Sequence, residues 1–266
     1  MTVTNKQSFW EHLDVLRVAI VKIALVTVVF GVAAFFFKEE LFSVVLAPKS
    51  DGFITYRLFN RIAAWSGSLS ESFSVQLINT KLAQQFIIHL KTALCAGVLW
   101  ASPYILYQLF RFVLPALYEN ERQYVTKIAG GGYVMFGLGV LISYFLIFPL
   151  TFRFLGTYQV SSDVNNLITL DSYISTLVMM CLAIGLVFEI PILSWLFAKL
   201  GFLSAGFMRR YRKHAIVIIL VVAAIITPTS DVFTLSLVAL PMWMLYEVSI
   251  WICLLYTSPS PRDYAA

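Results

Sequence analysis

Between Ile128 and Phe152 the chain runs twenty-five residues without a charged side chain. A bilayer's hydrocarbon core of about 30 Å calls for roughly 20 apolar helical residues, so this stretch is long enough to cross one. Five further runs approach that length: Val18–Phe37, Thr92–Phe110, Ser172–Ala198, Ala215–Ser230, and Val232 to about Ile252. Lys22 interrupts the first close enough to its end to snorkel. The fourth span contains Glu189 and the sixth contains Glu247. Composition agrees: 60% of residues are hydrophobic and 12% charged, against roughly 45–50% and about 25% in soluble domains. Too little polar surface is left to coat a water-soluble globule. Disorder, a collagen-like repeat and a disulfide scaffold are excluded as well.

The chain therefore reads as an all-α integral membrane protein with six transmembrane helices, at about 18–37, 92–110, 128–152, 172–198, 215–230 and 232–252. The first run is too long for the apolar core of a cleaved signal peptide and lacks a small-x-small site, so it is retained as a span. Basic residues set the orientation. With the N-terminus inside, the inner segments hold Lys6, Arg17, Lys22, Arg111, Arg122, Lys127, Lys199, Arg209, Arg210, Arg212 and Lys213. That is 11 of 19 Lys and Arg. Lys38, Lys49, Arg57, Arg61, Lys81, Lys91 and Arg153 fall outside, most of them in one long loop, where charges weigh less. Both termini are expected in the cytoplasm. The net charge of +5 thus reflects topology, and no nucleic-acid partner is implied.

Span five is short. Sixteen uncharged residues ending in Thr227-Pro228-Thr229-Ser230 give at most about 24 Å of helix, which thins the bilayer locally or draws in a partner. The first outer loop, Lys38–Gln85, is too long for a connector. Leu41–Leu46 and Tyr56–Trp65 have the pattern of short amphipathic helices, and Phe73, Val75 and Leu77 alternate with polar residues as in an extended piece. A structured cap is expected there.

Enzyme signatures are absent, and no cofactor or metal site is expected: His12, His89 and His214 are too scattered for a cluster. Ala93, Gly97 and Ala101, at four-residue spacing, suit close helix packing, as does the run Gly130-Gly131-Gly132. Glu189 is the strongest anomaly. It lies ten residues before Lys199, roughly 15 Å along a helix and near mid-membrane. A charged carboxylate there costs about 2.5–3.5 kcal/mol. Pro191 removes the helical donor of the Val187 carbonyl. Two readings stand side by side: a neutral Glu bonded to a neighbouring helix, or a contact for a polar or cationic group from a partner. Leu114–Arg122 is the second candidate, with Pro115 suited to a first helical turn and Glu119 and Glu121 near the membrane surface. Taken alone it reads better as a solvated interfacial helix whose acids balance Arg122 and Lys127.

Phe9-Trp10-Glu11-His12-Leu13-Asp14-Val15-Leu16-Arg17 resembles the N-terminal His-Leu-x-Glu-Leu-Arg signature of TatC, the multispanning subunit of the twin-arginine translocase. Ser102-Pro103-Tyr104-Ile105-Leu106-Tyr107-Gln108 through Phe112, then Pro115-Ala116-Leu117-Tyr118-x-x-Glu121-Arg122, is similar to that family's second span and first cytoplasmic loop. Phe148-Pro149-Leu150, Phe188-Glu189-x-Pro191, Thr227-Pro228 with Asp231, and Pro241-Met242 followed by Glu247 extend the match in order along nearly the whole chain.

The resemblance implies a receptor and translocase core in the bacterial cytoplasmic membrane, a cupped bundle with short fifth and sixth spans, driven by the proton-motive force. Its implied partners are the single-span TatA and TatB subunits, the twin-arginine signal peptides of folded cargo, the lipid bilayer, and further copies of itself in the receptor complex. The signal-binding residues it implies are Glu121, with Phe112, Arg122 and Gln108, and Asp14, Leu16 and Arg17 at the N-terminus. A guanidinium pairs bidentately with a carboxylate, which Lys cannot reproduce. Charged hydrogen bonds contribute roughly 1.5–3 kcal/mol each, whereas micromolar binding needs about 8. The signal's apolar stretch must therefore enter the bundle as well, near Glu189. The family's N-terminal Glu falls on Val15, with Asp14 before it. Either Asp14 substitutes or this chain relies more on Glu121. Pro48 and Asp231 match outer-face positions of the family, and a turn proline and a helix cap explain them equally well.

Two readings compete with the receptor. One is a secondary transporter that couples protons through Glu189. The other is an intramembrane enzyme, for which no nucleophile–base pair can be assembled. The segment Cys253–Asp263 resembles an in-frame translation of a sequencing adapter, which places the native end of span six near Ile252 and sets 253–266 apart from the membrane domain at 1–252.

Overall fold

A computed structural model describes residues 9–65, 75–113, 125–159, 161, 166–229 and 231–257. Apolar helices dominate it. In chain order they are α1 (Phe9–Phe36), α2 (Lys38–Leu46), α3 (Ile54–Trp65), α4 (Gln84–Val113), α5 (Val125–Ile142), α6 (Phe148–Thr157), α7 (Leu170–Val187), α8 (Ile190–Lys199), α9 (Ala205–Arg210), α10 (Arg212–Ile226) and α11 (Val232–Thr257). Among the described residues five helical stretches are long and apolar enough to cross a membrane. α10, on the run expected to form span five, has only fifteen residues. The chain is a multi-pass membrane protein.

The chain forms two compact units: residues 1–41 with 89–133, and 42–88 with 134–266. In the first, α1 and α4 run antiparallel. Phe35 stacks on His89 at 4.0 Å and Phe30 meets Trp100 edge-on at 6.5 Å, so α1 numbers fall as α4 numbers rise. Small residues make the crossing. A methyl group on Gly97 would lie 2.6 Å from the Gly31 nitrogen and 2.7 Å from the Thr27 carbonyl, and Ala34, Ala93 and Ala96 close the contact. Hydrocarbon gives helices no hydrophobic reason to associate, so close backbone approach carries the packing. The Ala93-Gly97 spacing serves the expected purpose. Gly130 does not, since a Cβ there meets nothing within 4 Å.

The second unit packs on large side chains. Phe148, Tyr173, Ile174, Met180, Ile184 and Val238 form its centre, all nearly solvent-free. Pro149 explains its main irregularity. Proline has no N–H for the Phe145 carbonyl and crowds it, and the helix widens into a π turn over Ser143–Ile147 before α6 begins. The Phe148 N–H then donates to Ser143 O, five residues back. Thr55, from α3, donates its hydroxyl to the Phe145 carbonyl that Pro149 leaves without a donor. Tyr56 donates to Pro149 O at 3.0 Å, Tyr144 to Val44 O at 2.6 Å and Tyr173 to Val45 O at 3.0 Å. The α1–α4 loop is thus structured, as expected, and fastened to the unit by hydroxyls. Leu77-Ile78 (β1) pairs in parallel with Ile168-Thr169 (β2). The extended piece foreseen around Val75 and Leu77 therefore exists as two residues of strand, and Phe73 lies outside the described residues.

Two expected spans differ in detail. The fourth is divided at Phe188-Glu189, where Pro191 cannot continue the hydrogen-bond ladder of α7. Of the two spans expected to be short, only α10 is. It stops at Ile226 because Thr227, preceding Pro228, is forced to extended backbone (φ −75°, ψ 140°). α11 instead runs twenty-six residues, with Pro241 inside it, and Cys253 is buried against Ser194 and Met208.

Candidate functional site

The first unit gathers most of the residues proposed to bind a signal peptide. Asp14 and Arg17 are exposed on the first turns of α1, beside half-buried Leu16, and neither forms an ion pair among the described residues. Gln108 and Phe112 lie near the end of α4. Gln108 is buried, and its Nε2 donates to the Tyr104 hydroxyl at 2.6 Å, which fixes the amide one turn above Phe112. The antiparallel register joins the two sets. From the Gly31–Gly97 crossing, Asp14 lies seventeen residues back along α1 and Phe112 fifteen residues on along α4, so each is roughly 22–26 Å away toward the same end. Glu121 and Arg122 fall in the segment that follows, outside the described residues. Val15, at the family's Glu position, is exposed.

The second unit holds the other two carboxylates. Glu189 caps the start of α8 with its backbone, accepting from Ile192 and Leu193 N–H groups at 3.1 and 2.9 Å. Its side chain is 4% exposed, and neither oxygen has a hydrogen-bond partner among the described residues. Phe188 beside it packs onto Gly139, where a Cβ would come within 2.8 Å of the ring. Gly139 was missed from the sequence. No signal along the chain singles it out, since Gly137, two residues earlier in the same apolar run, meets nothing within 4 Å. The neighbouring-helix hydrogen bond offered as one reading of Glu189 is not found among the described residues.

Asp231 is satisfied. Its Oδ1 accepts the Thr234 N–H at 2.9 Å, and its Oδ2 accepts the hydroxyls of Thr229 and Thr234 at 2.5 Å each. This is an N-cap for α11. Partial burial pushes its carboxyl up, but the hydrogen bonds from Thr229 and Thr234 outweigh that and hold it below the ordinary value. Pro48 is buried in a 3-10 turn, Ala47–Lys49, at the foot of α2. A further pair was not anticipated: Arg212 Nη2 donates to Glu247 Oε2 at 2.6 Å. Arithmetic could have found it. α10 is fifteen residues long, and Glu247 lies fifteen residues beyond the first residue of α11, so in two helices joined by a short turn they sit level.

The family model described as Sec-independent protein translocase protein (TatC) matches residues 11–241. The chain belongs to the TatC family. It is a component of a Sec-independent protein translocase and a transport protein, not a catalyst. The TatC of Blattabacterium from Periplaneta americana is 33% identical over 254 residues, covering 93% of this chain and 95% of that one. The Aquifex aeolicus TatC is 32% identical over 243 residues, 91% of this chain and 92% of its own. A crystal structure described as the twin arginine translocase receptor TatC superposes with a TM-score of 0.75 at 32% identity, covering 93% of this chain and 100% of that chain. A second, of the same receptor in the detergent DDM, gives 0.76 at 31% identity, with 91% and 99% covered. All four carry the TatC name, and the match runs through both units.

Proposed function

We propose that this chain is the receptor for twin-arginine signal peptides and the membrane core of a translocase that exports folded proteins. The observation that carries the reading is the convergence of Asp14, Leu16, Arg17, Gln108 and Phe112 at one end of the α1–α4 pair, directly before the loop that holds Glu121 and Arg122. A carboxylate there pairs with a guanidinium through two parallel hydrogen bonds. A crystal structure named as a twin arginine translocase receptor, similar over nearly the whole chain, supports the same reading. In it the chain spans the bacterial inner membrane six times as one domain over 1–252, both termini cytoplasmic, and α10 crosses as the short fifth span. TatA and TatB bind along α10 and α11, where fifteen residues reach only about 22 Å. The proton-motive force drives transport. Glu189, buried and without a hydrogen-bond partner among the described residues, receives a polar group from one of these partners or from the signal.

The test is photocrosslinking of a twin-arginine signal peptide to the chain in native membranes. Crosslinking is expected to drop at least tenfold with a twin-lysine peptide and with Glu121→Ala, the loss of one charged hydrogen bond of about 1.5–3 kcal/mol. Equal crosslinking by both peptides would refute the receptor role. Val15→Glu is expected to strengthen binding, and no change would mean that Asp14 already serves.

A further inference from the structure

The elbow between α8 and α10 is built as a rigid platform. Gly201, at φ 77°, lies in the turn that follows α8. Ser204 accepts the Phe207 N–H at 3.2 Å and so caps α9. On one side of α9, Ala205 and Met208 are buried against Ile250 and Cys253, and the Tyr246 hydroxyl donates to the Met208 carbonyl at 2.8 Å. Three contacts of different kinds thus fix a helix of six residues that has no stability of its own.

The opposite side is cationic. Arg209, Arg210 and Lys213 are exposed and have no ion-pair partner among the described residues. Arg212 is different, being committed to Glu247. Beside these cations runs an aromatic ladder: Phe207 and Tyr211 pack at 4.6 Å, and His214 follows at 5.5 Å from Tyr211. Immediately beyond it α10 turns wholly apolar, with Val217 and Val221 exposed one turn apart. Aromatic rings and a sharp change from cation to hydrocarbon mark the headgroup level of a bilayer.

We propose that this elbow is a binding site for an anionic phospholipid, with Arg209, Arg210 and Lys213 on its phosphodiester and its acyl chain along Val217 and Val221. A guanidinium fork matches two phosphate oxygens, and the fixed α9 presents both forks without ordering a loop. The occupant must carry an anion and a hydrocarbon chain a few ångströms apart. A phospholipid does. An acidic protein segment supplies the anion alone.

The experiment reconstitutes the full chain in nanodiscs of phosphatidylcholine with a minority of phosphatidylglycerol. Spin-labelled versions of each lipid then report which one the protein immobilises. The parent is expected to prefer the anionic lipid, and the triple variant R209Q/R210Q/K213Q to lose that preference by about fivefold or more at low salt. A control triple of exposed cations on α2 and α3 (K38Q/R57Q/R61Q) is expected to keep it. Unchanged thermal unfolding of the elbow variant in neutral detergent shows that the fold survives. The proposal is overturned if the elbow variant keeps the preference or if the control loses it equally. It is also overturned if soluble glycerol phosphate displaces the labelled lipid, or if export falls while lipid preference stays, which would assign the elbow to an acidic protein.

Discussion

The α7–α8 break and the α10–α11 turn each set a carboxylate within three residues of a proline, Glu189 before Pro191 and Asp231 after Pro228. They hold those carboxylates in opposite ways. Asp231 accepts three hydrogen bonds, two from Thr234 in the first turn of α11 and one from Thr229 in the turn before it. Glu189 is more deeply buried, and its oxygens accept none among the described residues. A buried acceptor left unmade costs about 1–3 kcal/mol, and a carboxylate in the bilayer costs more. The first arrangement is what a fold needs. The second works against the fold, which is why the proposed function gives Glu189 a polar group from a partner.

Four substitutions or conditions probe that contrast. The largest effect is expected from Glu189→Leu. Export of a twin-arginine reporter should fall at least tenfold, since a charged hydrogen bond to a partner is worth about 1.5–3 kcal/mol. The melting temperature in detergent should hold or rise by a few degrees, because an unpaired carboxylate is removed. A fall in melting temperature with export intact would break the comparison. Asp231→Ala should do the reverse: a destabilisation of about 0.5–2 kcal/mol from the lost cap, read as a lower melting temperature, with export reduced only as far as folded protein is lost. Thr234→Ala is smaller, about 1 kcal/mol, because the backbone bond to Asp231 survives. pH gives the mildest effect. Folding lowers the Asp231 pKa, so its contribution is complete above the ordinary carboxylate value and drains away as pH falls through the folded one. Melting curves of the parent and Asp231→Asn should therefore differ near neutrality and converge in strong acid. A gap that stays constant would remove Asp231 from the account.

Much of this was legible in the residues. Length and lack of charge located the membrane helices. Pro191 was seen to free the Val187 carbonyl, but the division of the fourth span there was not foreseen. Pro228 marked where one helix stops, since a missing N–H is a local property. The Ala93-Gly97 spacing announced a close crossing for the same reason. Gly130 shows the limit: a small residue offered for close packing on the same grounds meets no neighbour, because spacing on one helix says nothing of what faces it. The Pro149 signature was read as a family match, yet the π turn and the Thr55 hydroxyl that meets its orphaned carbonyl come from elements ninety residues apart.

What the sequence alone determined is therefore everything set by neighbours within a few turns: which stretches enter hydrocarbon, where Pro228 ends one of them, and which loop carries amphipathic helices. Only the tertiary structure decided which carboxylate is satisfied. It also decided that Leu77 pairs with Ile168, that Arg212 reaches Glu247, and that α9 is pinned with its cations outward. Partnership depends on what folding brings alongside, and a one-dimensional pattern carries no record of that distance.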